Sequence, residues 1–166
     1  MSRVPAGVVL AIDVGSVRVG VARSDADRTM SLPVVTLERS ADPLGEIGLL
    51  IDEHDAVGVL VGLPLLLSGE YGTAASAAVA FAEQLARSRE GLPVFLVDER
   101  LSTVEAGRAL SASGRSSRTA RHVIDQAAAS VFLDYALEAE RLTGEIPGVR
   151  VTLEGKRKPR HKRGPT

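Results

Sequence analysis

The chain has 166 residues, of which 45% are hydrophobic and only 3% are aromatic. That length suits one domain with one core, built mainly from aliphatic side chains. Because cysteine is absent, disulfides, thiolate metal sites and thiol nucleophiles are excluded. No apolar run is long enough to span a membrane and no signal-peptide pattern opens the chain, so we expect a cytoplasmic protein that does not contact membranes.

Charge is distributed unevenly along a chain whose formal net charge is -1. The segment Lys156–Arg163 holds six basic residues and no acidic one, whereas residues 1–150 contain 14 Lys and Arg against 20 Asp and Glu. We predict one folded domain over residues 1–150 and a basic, disordered segment over residues 151–166. Such a segment is compatible with a polyanionic partner, and equally with a solubilising role without a specific partner.

The first three predicted elements are strands. Val8–Ile12 is a short apolar run, and Val17–Ala22 alternates apolar and polar residues as a half-buried strand does. The short glycine-containing link between them predicts a hairpin. Leu32–Leu37 is the third predicted strand, and its Pro33 belongs at a sheet edge or at a strand start.

Helices and strands alternate in the remainder of the chain. Residues Ser113–Arg121 are polar and basic, and we expect them to be mobile. The order of elements predicts a mixed α/β sheet with helices packed on it. In chain order the predicted elements are a helix at Pro43–His54 capped by Ser40 or Asp42, a strand at Ala56–Gly62, a helix at Thr73–Arg87, a strand at Val94–Val97, a helix from Ser102 or Thr103 to about Ala112, a helix at His122–Arg141 and an extended stretch at Val149–Leu153.

Four acidic residues stand at positions suited to chemistry. Asp13 directly follows the first strand, Asp98 and Glu99 follow the strand at Val94–Val97, and Asp125 lies near the start of the last helix. Ligands collect at the carboxyl ends of strands joined by helical crossovers. Carboxylates that converge there can bind Mg²⁺, which activates water and stabilises the leaving oxygen of a phosphodiester.

Structural roles for the same acids stay open at this point. Asp13 fits a turn, Asp98 or Glu99 can cap a following helix, and Asp125 can interact with a helix N-terminus. Other chemistries have less support. The three histidines lack zinc-ligand spacing, and the glycine-rich stretch Gly15–Gly20 lacks the lysine of a P-loop.

Four segments of the chain resemble the signatures of a known family and occur in the same order as those signatures. They are AIDVGSVRVGVARSD from Ala11, VGLPL from Val61, DERLSTVEA from Asp98 and IDQAAA from Ile124. Together they resemble the signatures of the YqgF/RuvX family of RuvC-like nucleases, over roughly Val8 to Leu137. The resemblance implies a ribonuclease H-like α/β fold. We expect a mixed five-stranded sheet, with the first three strands antiparallel and the later ones parallel, and helices on both faces.

The resemblance also implies a nuclease site for Mg²⁺ or Mn²⁺. Asp13 would be the central catalytic metal ligand, with Glu99 and Asp125 as the other two and Asp98 as the alternative to Glu99. Gly62, Leu63 and Pro64 would shape the loop beside the site. The arginines implied to face the phosphates of a nucleic acid are Arg18, Arg100, Arg115, Arg118 and Arg121.

One segment departs from the family pattern. After Leu65 the family usually shows a stretch like Asn-Met-Asp-Gly, whereas this chain reads LLSGE over Leu66–Glu70. An acid and an amide are therefore missing from the loop after the second signature, which puts the family's substrate contacts there in question. The metal-binding acids are unaffected.

The resemblance implies two substrates, the 5′ end of pre-16S ribosomal RNA and the four-way DNA junction, of which we favour the RNA. Two other hypotheses stay open: a nucleic-acid-binding module without turnover, and a nucleotide-binding protein of the related kinase fold. The sequence does not decide the oligomeric state, and a homodimer is compatible with it.

Overall fold

The structure is a computed structural model that describes residues 3–99 and 117–153, with residues 117–126 described by their backbone alone. The described residues form six strands and three helices. In chain order these are β1 (Val9–Val14), β2 (Arg18–Ser24), β3 (Ser31–Glu38), α1 (Pro43–Glu53), β4 (Gly58–Leu63), α2 (Thr73–Ser88), β5 (Val94–Asp98), α3 (Ser117–Thr143) and β6 (Val149–Arg150).

The strands form one mixed sheet in the order β3-β2-β1-β4-β5-β6. β1, β2 and β3 are antiparallel neighbours, and β1, β4 and β5 run parallel. This arrangement confirms the predicted α/β class and the change from antiparallel to parallel pairing. The strand count was too low by one, because the two-residue strand β6 pairs antiparallel with the outer edge of β5.

The edge strand β3 contains Pro33 together with a bulge. Val21 pairs with Val35 and Ala22 with Pro33, so that β3 carries one more residue than β2 at this point. Proline lacks the N–H that an inner ladder position needs, and an edge position tolerates this loss. The predicted edge placement of Pro33 is therefore confirmed.

Helices cover both faces of the sheet. On one face, Ile12 of β1 packs in a cluster with Ile47 of α1 and Phe81 of α2. On the other face, Leu60 of β4 packs in a cluster with Phe132 of α3. Alternate residues of each strand therefore enter different cores, as the two-residue period of a strand requires.

The element ends differ from the sequence expectations at a few positions. Asp42 caps α1, since its carboxylate accepts a hydrogen bond from the Gly45 N–H at 3.3 Å. The last helix begins at Ser117 rather than at His122, so the part of Ser113–Arg121 from Ser117 onward is helical. The predicted helix ending near Ala112 and residues 154–166 of the predicted basic segment lie outside the described residues. In the part of the chain that the structure describes, none of the helices combines the length and the hydrophobicity of a membrane span.

Arg28 joins the start of the chain to the end of α3. Its guanidinium donates hydrogen bonds to Glu140 Oε1 at 2.8 Å, to the Val4 carbonyl at 3.0 Å and to the Pro5 carbonyl at 2.6 Å. The Arg28 side chain is only 12% exposed. Because hydrogen bonds to a partly buried charge are stronger than those at an open surface, this contact stabilises the fold.

We predict that Arg28→Ala lowers the free energy of unfolding by about 2 kcal/mol, because Glu140 and two backbone carbonyls lose their donor. Arg87→Ala is the matched control, since Arg87 is 63% exposed and lies 3.9 Å from Glu83. This second substitution should cost less than about 0.5 kcal/mol. Urea denaturation measures the free energy of unfolding of both variants. Equal losses in the two variants would contradict the stabilising role of the Arg28 hydrogen bonds.

Candidate functional site

The sheet register brings Asp13, Gly62 and Glu99 to one place at the carboxyl ends of β1, β4 and β5. The β1–β4 pairing reaches Ile12 and Val61, so Asp13 and Gly62 are the next residues of their strands. Gly62 in turn pairs with Val97, two residues before Glu99. Since strand residues alternate between faces, all three lie on the face that α3 covers.

Gly62 provides the space in which the Glu99 side chain lies. A Cβ placed on Gly62 would overlap the Glu99 carboxylate and would stand 2.7 Å from Glu99 Cγ. The Glu99 N–H also donates to the Leu63 carbonyl at 3.2 Å. The backbone at the end of β4 therefore holds Glu99 beside Asp13, and only glycine leaves the necessary room.

Glu99 is one of only two buried polar or charged residues among those described, and it is 7% exposed. Burial raises the pKa of Glu99 to about 9, and the charge of Asp13, a hydrogen bond with Asp13 and the charge of Asp98 act in the same direction. Two carboxylates that approach each other in a low dielectric cannot both ionise without compensation. The pair therefore shares a proton or requires a cation.

Asp98 lies on the other face of β5. Asp98 lies two residues after Leu96, which packs against the core formed by α1 and α2, whereas Glu99 lies two residues after Val97, which belongs to the α3 core. Asp98 is also half-buried and pairs in register with Leu63. The geometry thus brings Glu99 rather than Asp98 to Asp13, although the charge of Asp98 still reaches Glu99.

The turn that follows Asp13 is fixed by hydrogen bonds. The Gly15 N–H donates to the Arg18 carbonyl at 2.8 Å, and Arg39 donates from Nη1 to the Gly15 carbonyl at 2.8 Å. A Cβ on Gly15 would lie 2.6 Å from the Arg18 carbonyl oxygen, so the turn requires glycine. Arg39 escaped the sequence analysis because nothing in its neighbourhood marks a link to a turn 24 residues earlier.

Several of the predicted site residues have no described side chains. The backbone of Asp125, Arg118 and Arg121 belongs to α3, while Arg100 and Arg115 lie outside the described residues altogether. Arg18 is half-buried at the start of β2, next to the turn. Where side chains are described, no group of three or more His, Cys, Asp or Glu residues is arranged to hold a metal ion.

Comparison with solved structures identifies the class of fold. The structure of T. thermophilus RuvC in complex with Holliday junction substrate superposes with a TM-score of 0.51, covering 85% of this chain and 99% of that chain at 18% sequence identity. The chain thus has the ribonuclease H-like fold of RuvC. The profile of one family, described as RuvX: Holliday junction resolvase, matches residues 7–139. The chain belongs to the RuvX family, and it is a nuclease.

Individual relatives agree with this membership. A protein of Leifsonia xyli subsp. xyli is 48% identical over 86% of this chain and 92% of its own length. A protein of Thermobifida fusca is 49% identical over 86% of this chain and 94% of its own length. Each carries the name "Putative pre-16S rRNA nuclease". The family resemblance inferred from the four segments is therefore confirmed.

We predict that Gly62→Ala displaces the Glu99 carboxylate and lowers the free energy of unfolding by about 2 kcal/mol, because the new methyl group overlaps it. The double variant Gly62→Ala with Glu99→Ala should recover most of this loss, since the overlapping side chain is then absent. Chemical denaturation of both single variants and the double variant gives the coupling energy. Additive losses would show that the two residues do not touch.

We also predict that the protein without divalent cations loses stability between pH about 4.5 and about 9. The folded state raises the pKa of Glu99 from 4.5 to about 9 and so holds its proton more tightly than the unfolded chain does. This stabilisation is complete below the unfolded value and disappears as the pH rises through the folded one. Melting temperatures measured in EDTA should fall as the pH rises across this window. If a Glu99→Gln variant showed the same fall as the wild type, the raised pKa of Glu99 would not be its cause.

Proposed function

We propose that this nuclease hydrolyses phosphodiester bonds in structured nucleic acid with Mg²⁺ or Mn²⁺ held by Asp13, Glu99 and Asp125. The observation that carries the proposal is the contact between the buried Glu99 and Asp13 at the carboxyl edge of the sheet. A pair of like charges in a buried setting is costly. A divalent cation between them would offset the repulsion and the loss of solvent together.

The available donors fit a hard cation. Mg²⁺ and Mn²⁺ prefer carboxylate oxygens and water, and Asp13 and Glu99 supply carboxylates from two different strands. Asp125 precedes Ala129 by four residues and Phe132 by seven, and α3 buries both of these against the sheet. Helical periodicity supports Asp125 as a third ligand on the same face.

The direction of α3 also supports this assignment. Glu140, near the end of α3, contacts Arg28 in the loop after β2, at the end of the sheet away from Asp13. The first turns of α3 therefore extend towards the end where Asp13 and Glu99 lie. This direction agrees with a ligand set completed from the start of the helix.

Each residue of the site has a separate role in the proposed reaction. When bound, the cation supplies activated water and a positive charge that stabilises the leaving oxygen. Asp13 and Glu99 would hold the cation, and Gly62 leaves the space that the Glu99 side chain occupies. Leu63 ends β4, and Pro64 begins the loop beside the proposed position of the reacting phosphate. Arg18, at the turn after Asp13, contributes a forked donor for a phosphate group, and Arg100, Arg115, Arg118 and Arg121 are proposed to do the same.

For the substrate, we propose the 5′ end of pre-16S ribosomal RNA. The names of the relatives at 48–49% identity support this choice, since these proteins match nearly their whole length to this chain. Processing of ribosomal RNA would place the protein in the cytoplasm. A four-way DNA junction is the second candidate, which the description of the matching family favours.

We predict that Asp13→Asn, Glu99→Gln and Asp125→Asn each lower the cleavage rate by at least about a hundredfold in Mg²⁺, because each removes a proposed ligand charge. Asp134→Asn is the control, since Asp134 is an exposed acid of α3 outside the site, and it should cleave like the wild type. Rates are measured side by side on precursor ribosomal RNA and on junction DNA. Wild-type rates for Asp13→Asn on both substrates would overturn the site.

A further inference from the structure

Apolar side chains project into solvent from the loop that leaves the site. This β4–α2 loop, Pro64–Gly72, exposes Leu66, Leu67 and Tyr71, and Leu67 is 99% exposed. The tip of the neighbouring β1–β2 turn adds Val17, which is 60% exposed. Single exposed apolar residues are ordinary, but several at one edge of a sheet indicate an interaction surface.

The loop holds Leu67 in a defined position. The Gly69 N–H donates to the Leu66 carbonyl at 2.7 Å, and the Leu66 N–H donates to the Glu70 carbonyl at 3.0 Å. Gly69 has a φ of 84°, in the left-handed region that closes such turns. Leu67 thus lies at the tip of a hydrogen-bonded turn, whose fixed backbone lowers the entropy cost of binding.

The base of the loop is continuous with the site. Its first residue follows Leu63, whose carbonyl accepts the Glu99 N–H at 3.2 Å. A nucleic acid with a phosphate at Asp13 and Glu99 therefore passes beside the loop. The loop has no cation to offer that strand, since the sequence contains no Lys or Arg from Ser40 to Ala86.

Apolar contact without positive charge fits the faces of bases rather than phosphates. Base faces are apolar and become accessible only where the bases are unpaired. Aliphatic side chains can also wedge between neighbouring bases.

We propose that the β4–α2 loop binds unpaired bases of the substrate strand next to the scissile phosphate, with Leu67 and Tyr71 as the contacting side chains. The inference rests on the proposed function for the position of that phosphate. The loop recognises unpaired nucleotides through their base faces, and the arginines bind the backbone. Affinity from the loop is independent of salt, whereas affinity from the arginines falls as salt rises.

The test measures binding by fluorescence anisotropy in an Asp13→Asn background, which prevents cleavage. The probes are a labelled RNA hairpin with a single-stranded 5′ extension and the same hairpin with the extension paired. Leu67→Ala should weaken binding of the first probe about tenfold, leave the second unchanged, and keep the same dependence on salt. Leu67→Phe should retain the binding.

Leu142→Ala is the matched control, because Leu142 is 76% exposed near the end of α3, at the other end of the sheet. It should bind both probes as the parent does. Equal binding of the extended probe by Leu67→Ala and its parent would overturn the proposal. So would a changed oligomeric state of Leu67→Ala in sedimentation velocity, since the exposed loop would then bind a second copy. Cleavage by Asp13→Asn would overturn the metal site instead, so the two failures are distinguishable.

Discussion

Two carboxylates in contact over a glycine are the constraint on which the rest of this structure depends. Glu99 is buried and lies against Asp13, and its pKa is raised to about 9. The repulsion persists only because the surrounding elements fix both side chains. β1, which is buried except at Asp13, and the fully buried β4 lie next to each other at the centre of the sheet, and they provide the rigid support that an unfavourable charge pair needs.

The surroundings of this pair explain features that otherwise look unrelated. Gly62 interrupts an apolar strand because the Glu99 side chain occupies the space of its missing Cβ. Gly15 closes a turn that approaches the Arg18 carbonyl, and Arg39 holds that turn from the end of β3. Gly62 thus leaves room for one carboxylate, and Gly15 and Arg39 fix the turn that follows the other. The proposed nuclease site is therefore distributed over three strands and a turn.

Much of the fold could be predicted because its signals are local. The apolar runs of β1 and β4, the glycine-containing link of the hairpin and the Asp42 cap each act within a few residues. The site was harder to predict from the sequence. The choice between Asp98 and Glu99 depends on which face of the sheet each residue occupies, and this follows from the strand register rather than from composition. The local pattern predicted an extended stretch at Val149–Leu153, but the pairing of β6 with β5 joins segments far apart in sequence, as the Arg39 contact does, and neither could be predicted from local signals. The start of α3 was misjudged because serine and arginine suit loops and helix starts alike.

The way α3 covers the sheet has a consequence for how the chain is made. The face of the sheet that carries Leu60 and Phe95 packs against residues of α3 between Ala129 and Leu137. The hydrogen bond from Arg28 to Glu140 likewise requires the end of α3. During synthesis, β1 to β5 leave the ribosome before the helix that shields this face exists. The nascent chain therefore carries an apolar surface until its last third emerges, and complete folding of this domain is an event that follows translation of α3.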